Sequence, residues 1–262
     1  MVTRIVLPNI RKLFIPDPGF VMFEADLKGA DAQVVAWESN DEDLKSAFRK
    51  GIDIHAHNAE AMLGPAFTSL PLGSHARDAK RQLNKRGVHL TNYGGTGRGM
   101  AQALGITIHE ADKFQRRWFQ MHPGILEWHE RVRANLARDR TIRNAFGFRR
   151  VFFDRLDNCF TEALAWIPQS TVALTTYRGA LQLEARYWPE QQTPGWHPNP
   201  RNPCGILLQT HDSINPQFAL DNCPPVVEIK KTLEVVTPYA DPLIIPWDLK
   251  RSTKSWGEME KC

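Results

Sequence analysis

Pro16-Asp17-Pro18-Gly19-Phe20-Val21-Met22-Phe23-Glu24-Ala25-Asp26 is the stretch whose reading decides the rest of the chain. A Pro/Gly turn signal precedes a short apolar run, Val21 to Ala25, that stops at a carboxylate. That is the pattern of a buried strand ending at Asp26. From there to about Arg140 the pattern is helical. Asp41 caps one amphipathic segment, Asp53 precedes a second, the basic stretch from about Ser74 to Asn92 forms a third, and Pro123 occupies the first turn of a fourth. Strand signals return at Thr141-Ile142-Arg143 and Arg150-Val151-Phe152-Phe153. A long apolar-periodic helix follows from about Phe160 to Arg186, then a Pro-rich loop through Pro203. Two strands flank Thr210-His211-Asp212-Ser213, and Pro242 to Leu249 reads as a last strand. The order of strand, helical block and strands predicts an α+β fold, a sheet platform into which a helical subdomain is inserted.

A chain of 262 residues with 42% hydrophobic composition can bury a sizeable core. The net charge of +4 is too small to imply a nucleic-acid partner by itself, but the cations cluster in the middle of the chain. The four cysteines are widely spaced without a CxxC pair, which fits reduced thiols better than a disulfide framework or a zinc site. The first residues lack the uncharged apolar core of a signal peptide, and no stretch approaches the roughly 20 apolar residues that span a bilayer. The chain is therefore read as soluble, cytoplasmic and without a membrane partner.

Three constellations carry chemistry. Asp26 stands where an apolar strand stops, with Asp31 five residues later. Carboxylates on such rigid supports, together with phosphate oxygens, are the usual Mg²⁺ ligands. Arg81, Lys85, His89 and Tyr93 follow at intervals of four, a slowly drifting stripe on one helix face. Cations there can grip a triphosphate, and the His and Tyr rings can contact a base or sugar. Thr210-His211-Asp212-Ser213 is a polar tetrad at a hairpin tip, presenting Asp212 beside His211. One Asp on each of two strands, with a cationic helix between them in sequence, is what two-metal phosphoryl or nucleotidyl transfer requires. His55 and His57 have no Glu-x-x-His or Cys pattern around them and read as core or surface histidines. Trp118, Phe119 and Trp128 have helical spacing and read as packing between helices.

These residues resemble the three signature motifs of family-A, DNA polymerase I-like enzymes, with a likeness to the bacteriophage type. Phe23-Glu24-Ala25-Asp26-Leu27-Lys28-Gly29-Ala30-Asp31 resembles motif A, Arg81-Gln82-Leu83-Asn84-Lys85 through Asn92-Tyr93-Gly94 resembles motif B, and His211-Asp212 resembles motif C. The resemblance runs from Asn9-Ile10-Arg11-Lys12-Leu13-Phe14 to Trp256-Gly257-Glu258-Met259. It implies a right-hand polymerase architecture, an antiparallel palm over 1–40 and 141–262 with helical fingers over 41–140. It implies a DNA-directed DNA polymerase that binds primer-template DNA and dNTPs and acts in DNA replication. Asp26, Asp212 and the Leu27 carbonyl would hold two Mg²⁺ ions. Arg81 and Lys85 would bind the triphosphate, Lys85 counting with the two aspartates as catalytic. His89 and Asp31 would complete the dNTP site, with Tyr93 near the nascent pair and template. His211 would sit at the primer terminus, and Gln169 would touch DNA.

The chain departs from the family pattern in places. Asp31 stands where Glu commonly excludes the ribose 2′-hydroxyl, His89 where Phe or Tyr is usual, and Ser213 where motif C ends in Glu. Thr161 and Ala165 replace the family's Arg and Asn upstream of Gln169. Family members carry a thumb, and often a proofreading exonuclease, before this region, whereas this sequence begins almost at motif A. The expectation is a fold without thumb or exonuclease domain, in a truncated sequence or half of a split polymerase whose thumb or exonuclease lies on a separate polypeptide. The alternatives to an active polymerase are a catalytically incompetent fragment that binds DNA and an RNA polymerase of the related single-subunit type.

Overall fold

The computed structural model describes residues 8–199 and 203–262. After a 3₁₀ turn at Ile10–Leu13 come strand β1 (Phe20–Leu27) and helices α1 (Ala30–Glu38), α2 (Glu42–Arg49), α3 (Ile54–Leu63) and α4 (Pro65–Thr68). Then follow α5 (His75–Asn92), α6 (Gly97–Leu104), α7 (Ile108–Met121), α8 (Pro123–Asp139), the short strands β2 (Thr141–Arg143) and β3 (Arg149–Val151), and α9 (Leu156–Tyr187). The last part holds β4 (Ile206–Thr210), β5 (Ser213–Ala219), α10 (Val226–Leu233), β6 (Val236–Thr237), β7 (Leu243–Ile244), β8 (Trp247–Ser252) and β9 (Glu260–Lys261). The chain forms two compact units, one of the residues up to Ala30 with those from Val172 onward, the other of Asp31–Thr171. The fold is α+β, an antiparallel sheet in one unit and a helical insertion in the other.

In the sheet unit, five antiparallel strands run in the order β4-β5-β1-β8-β9, so β1 is central. Its apolar run does not alternate because both faces are covered: Met22, Phe23 and Ala25 are all fully buried. Phe23 meets Phe218 edge-on at 5.8 Å, and Ala25 sits between Ile214 and Leu249 in register. β5 carries buried amides whose N–H groups find backbone acceptors: Asn215 Nδ2 donates to the Phe23 carbonyl at 3.2 Å, and Gln217 Nε2 to the Cys204 carbonyl at 2.8 Å. Pro216 has no N–H to give, and the register shifts opposite it between Ile206 and Leu208. On the α10 side, the Trp247 indole N–H donates to the Leu233 carbonyl at 2.9 Å. Gly179 of α9 allows this packing, since a Cβ there would lie 3.0 Å from that same carbonyl oxygen.

The final strand expected over 242–249 is two strands. β7 pairs with β6, the chain breaks at Ile245-Pro246, and β8 then pairs with β1. Pro246 cannot donate to a ladder, and its carbonyl instead accepts the Lys28 N–H at 2.9 Å.

In the helical unit, polar caps set the helix starts. Asp41, Asp53, Ser74 and Thr96 each accept backbone N–H groups of the turn that follows, and Thr107 with Glu110 forms a capping box. Trp118 and Trp128 are fully buried packing residues. The Trp118 indole N–H donates to Asn92 Oδ1 at 2.7 Å, and His129 Nε2 lies 2.8 Å from the Asn92 carbonyl oxygen. Among the described residues no helix is long and apolar enough to cross a membrane. Asn92→Ala, which orphans the buried indole N–H, should lower the unfolding free energy by about 1–3 kcal/mol. The expected readout is a lower urea midpoint at unchanged slope.

Candidate functional site

The sheet unit gathers acids at one end of β1. Asp26 is directly opposite Ser213 on β5 and Asp248 on β8, and residues paired in this way project from the same face. Asp212 lies in the two-residue turn between β4 and β5, where His211 adopts a left-handed backbone with φ 54°. The turn is pinned to β1 because the Leu27 N–H donates to the Asp212 carbonyl at 3.1 Å. Burial pushes the Asp26 carboxyl up to about 6, with repulsion from Asp212, Glu24 and Asp248 adding to it and Lys250 opposing. Glu24 is otherwise engaged. Burial raises its carboxyl, but Lys250 Nζ at 2.7 Å, the Trp256 indole N–H at 2.7 Å and Arg11 outweigh that and hold it below the usual range.

An excess of carboxylate charge with oxygen donors fits a hard divalent cation such as Mg²⁺. Asp248 belongs to this concentration and is not evident from sequence, because only strand register brings it beside Asp26. A different group, Asp41, Asp43 and His122, places three possible ligand atoms within 4.8 Å of one another, and it contains neither Asp26 nor Asp212. Its geometry has a structural explanation. Asp41 caps α2 through Leu44 N–H at 2.9 Å and pairs with His122 Nδ1 at 2.8 Å in the buried interior.

In the helical unit, Arg81, Lys85 and His89 lie on α5, whose other face buries Asn84, Gly87, Val88 and Thr91. Tyr93 is not on the helix but caps its C-terminus, and Gly94 follows at φ 72°, the left-handed residue that ends the helix. A side chain at Gly94 would also meet Phe160 at 3.0 Å. The Tyr93 hydroxyl donates to Asp31 Oδ2 at 3.1 Å. Burial, then the Asp31 charge, drives that hydroxyl's pKa far above its ordinary value, so it stays a donor. His89 stacks edge-on to Tyr93 at 4.4 Å.

His55 was expected as an ordinary core or surface histidine, but it stands in the field of Lys85, Arg81 and His89. Burial first, then Lys85 and Arg81, push it down to about 4, against the pull of Asp53. His89 is also held below its usual value, by loss of water around its ring and by Lys85, with Asp31 opposing. Both rings are thus neutral near pH 7, able to donate one hydrogen bond and accept another. Arg81 pairs with Asp53 through two hydrogen bonds. Gln169 is exposed on α9 just after Pro168, and His211 is exposed at the hairpin tip.

The family model described as DNA polymerase family A matches residues 4–246. The chain belongs to that family. Among relatives of this family-A chain, the thermostable DNA polymerase I of Thermus filiformis is 29% identical over 97% of the chain and 29% of its own length. The DNA polymerase of Mycobacterium phage D29 is 28% identical over 96% of the chain and 37% of its own length. The POL domain of Pol1 from M. smegmatis, solved with DNA primer-template and dNTP, is 19% identical and has the same fold, with a TM-score of 0.74 over 97% of the chain and 44% of that domain's chain. The chain thus spans under half the length of these relatives.

The raised Asp26 carboxyl makes a signed prediction. Folding binds its proton more tightly, about 6 against 3.8, so folded-state stability falls as pH rises from about 4 to about 6. Asp26→Asn should therefore be more stable than the parent above pH 6, by about 1–2 kcal/mol after allowance for solvent screening. The difference should vanish below about pH 4, as measured by urea unfolding in EDTA.

Proposed function

We propose that this chain is the catalytic palm-and-fingers portion of a template-directed DNA polymerase, transferring a nucleotidyl group from a dNTP to a primer 3′-hydroxyl. The observation that carries this reading is the convergence of Asp26 and Asp212 at the end of a buried central strand, where burial first and the Asp212 charge second lift the Asp26 carboxyl to about 6. Asp26, Asp212 and the Leu27 carbonyl would hold two Mg²⁺ ions. Such ions make the 3′-hydroxyl a better nucleophile and offset charge at the α-phosphate.

The protein's own groups do the rest. Arg81 and Lys85 bind the triphosphate as fixed cations, and neutral His55 and His89 can donate to phosphate or sugar oxygens without adding charge. Tyr93, fastened to Asp31, forms a rigid wall beside the nascent pair. The shorter Asp31 side chain leaves that wall farther from the sugar than Glu would. His211 and Gln169, both exposed, contact primer and template. Relatives from mycobacterial phages support a place in phage DNA replication.

The test is extension of a labelled primer-template with Mg²⁺, using dNTPs or rNTPs, with the chain alone and with a candidate thumb-bearing polypeptide. Asp26→Ala and Asp212→Ala should each cut incorporation by at least about 10³-fold. Unchanged extension by Asp212→Ala overturns the reading, and silence in every mixture favours a DNA-binding fragment. A second expectation concerns the sugar: Asp31→Glu should raise the ratio of dNTP to rNTP incorporation several-fold, read from the same gels.

A further inference from the structure

The cationic stripe on α5 is anchored at one point. Arg81 Nε donates to Asp53 Oδ2 at 3.0 Å and Arg81 Nη2 to Asp53 Oδ1 at 2.9 Å, a two-point fork that fixes the plane of the guanidinium. Asp53 is itself fixed. Its Oδ1 accepts the His55 N–H at 3.0 Å and the Ala56 N–H at 3.2 Å as the cap of α3, which packs against α5. Arg81 is thus tied to the start of a helix. The fork uses two of the five guanidinium N–H groups and leaves three for an incoming acceptor.

We infer that Asp53 is a positioning residue for the nucleotide: it holds Arg81 so that the remaining guanidinium donors are presented to the triphosphate. The inference rests on the assignment of Arg81 to the triphosphate made above. Two physical effects of Asp53 oppose each other. Its negative charge repels a polyphosphate, so Coulomb's law alone makes its removal tighten nucleotide binding. Loss of the fork releases a long side chain into many rotamers and weakens binding. Asp53 is 50% exposed, so water and salt screen the repulsion, while the loss of orientation is not screened. Orientation wins, and the sign of the change tells the two apart.

The decisive variant is Asp53→Asn. Asn caps a helix as well as Asp does, so α3 keeps its start while the charged fork is lost. Circular dichroism and the thermal midpoint report whether the fold is kept. Two measurements read the function: equilibrium binding of a fluorescent dNTP with Mg²⁺ to the full chain on primer-template, and steady-state primer extension. Asp53→Asn should raise the dNTP dissociation constant and KM about tenfold while kcat falls less than about threefold and primer-template affinity is unchanged. Asp53→Glu should recover part of the loss.

Arg81→Ala is the control that separates the two claims. If Arg81→Ala weakens nucleotide binding and Asp53→Asn leaves it unchanged or tightens it, Asp53 is only a helix cap and the inference is overturned. If Arg81→Ala itself has no effect, the triphosphate assignment fails and the inference falls with it.

Discussion

A strand covered on both faces can end in a charged group only where water or a counter-ion reaches its last residues, and Asp26 stands at that place on β1. The rest of the sheet unit follows from keeping β1 central. β5 on one flank brings the turn that carries Asp212, and β8 on the other brings Asp248, so two strands and a turn contribute acids to one end of the sheet. Their mutual repulsion opposes folding, and the apolar packing of Met22, Phe23 and Ala25 offsets it. Glu24 would add to that repulsion at full strength if Lys250, Trp256 and Arg11 did not engage it. Strain of this electrostatic kind concentrates where a ligand can relieve it.

The helical unit solves a complementary problem, the display of positive charge on a rigid support. α5 is fixed from behind by close packing: a side chain at Gly87 would come within 2.8 Å of the Phe114 ring. Its start is set by Ser74 and its end by Gly94, so the stripe of Arg81, Lys85 and His89 has little freedom to rotate about the helix axis. The two histidines nearest the cations lose their charge and remain as hydrogen-bonding groups. Like-charge crowding therefore ends in a mixture of fixed cations and neutral donors.

Features written in local sequence were legible. The turn before Phe20, the apolar run ending at Asp26, the caps at Asp41, Asp53 and Ser74, and the proline opening α8 each follow from one or two residues and appear as expected. What sequence did not reveal depends on contacts between distant segments. Asp248 joins the acids only through its register with Asp26, and Asp53 reaches Arg81 across 28 positions. His55 differs from any histidine near a helix start only by its cationic neighbours. The even spacing of four that grouped Tyr93 with the α5 stripe hid the fact that Tyr93 lies past the last helical residue, where its hydroxyl turns to Asp31. Likewise the apolar pattern from Pro242 to Leu249 gave no sign of how Pro246 would divide it.

The pairing of β1 also governs how the chain is made. Its partners lie far along the sequence, with Asp26 opposite Ser213 and Leu27 opposite Trp247. During synthesis the helical residues 31–171, whose contacts are more local, are complete while β1 still has neither neighbour. An apolar strand with both edges bare must then wait for residues 213–252, which supply both neighbours, to leave the ribosome. Biosynthesis of this molecule thus passes through a stage in which a strand destined for the interior has no partner on either edge, and the rate of translation through residues 213–252 sets how long that exposure lasts.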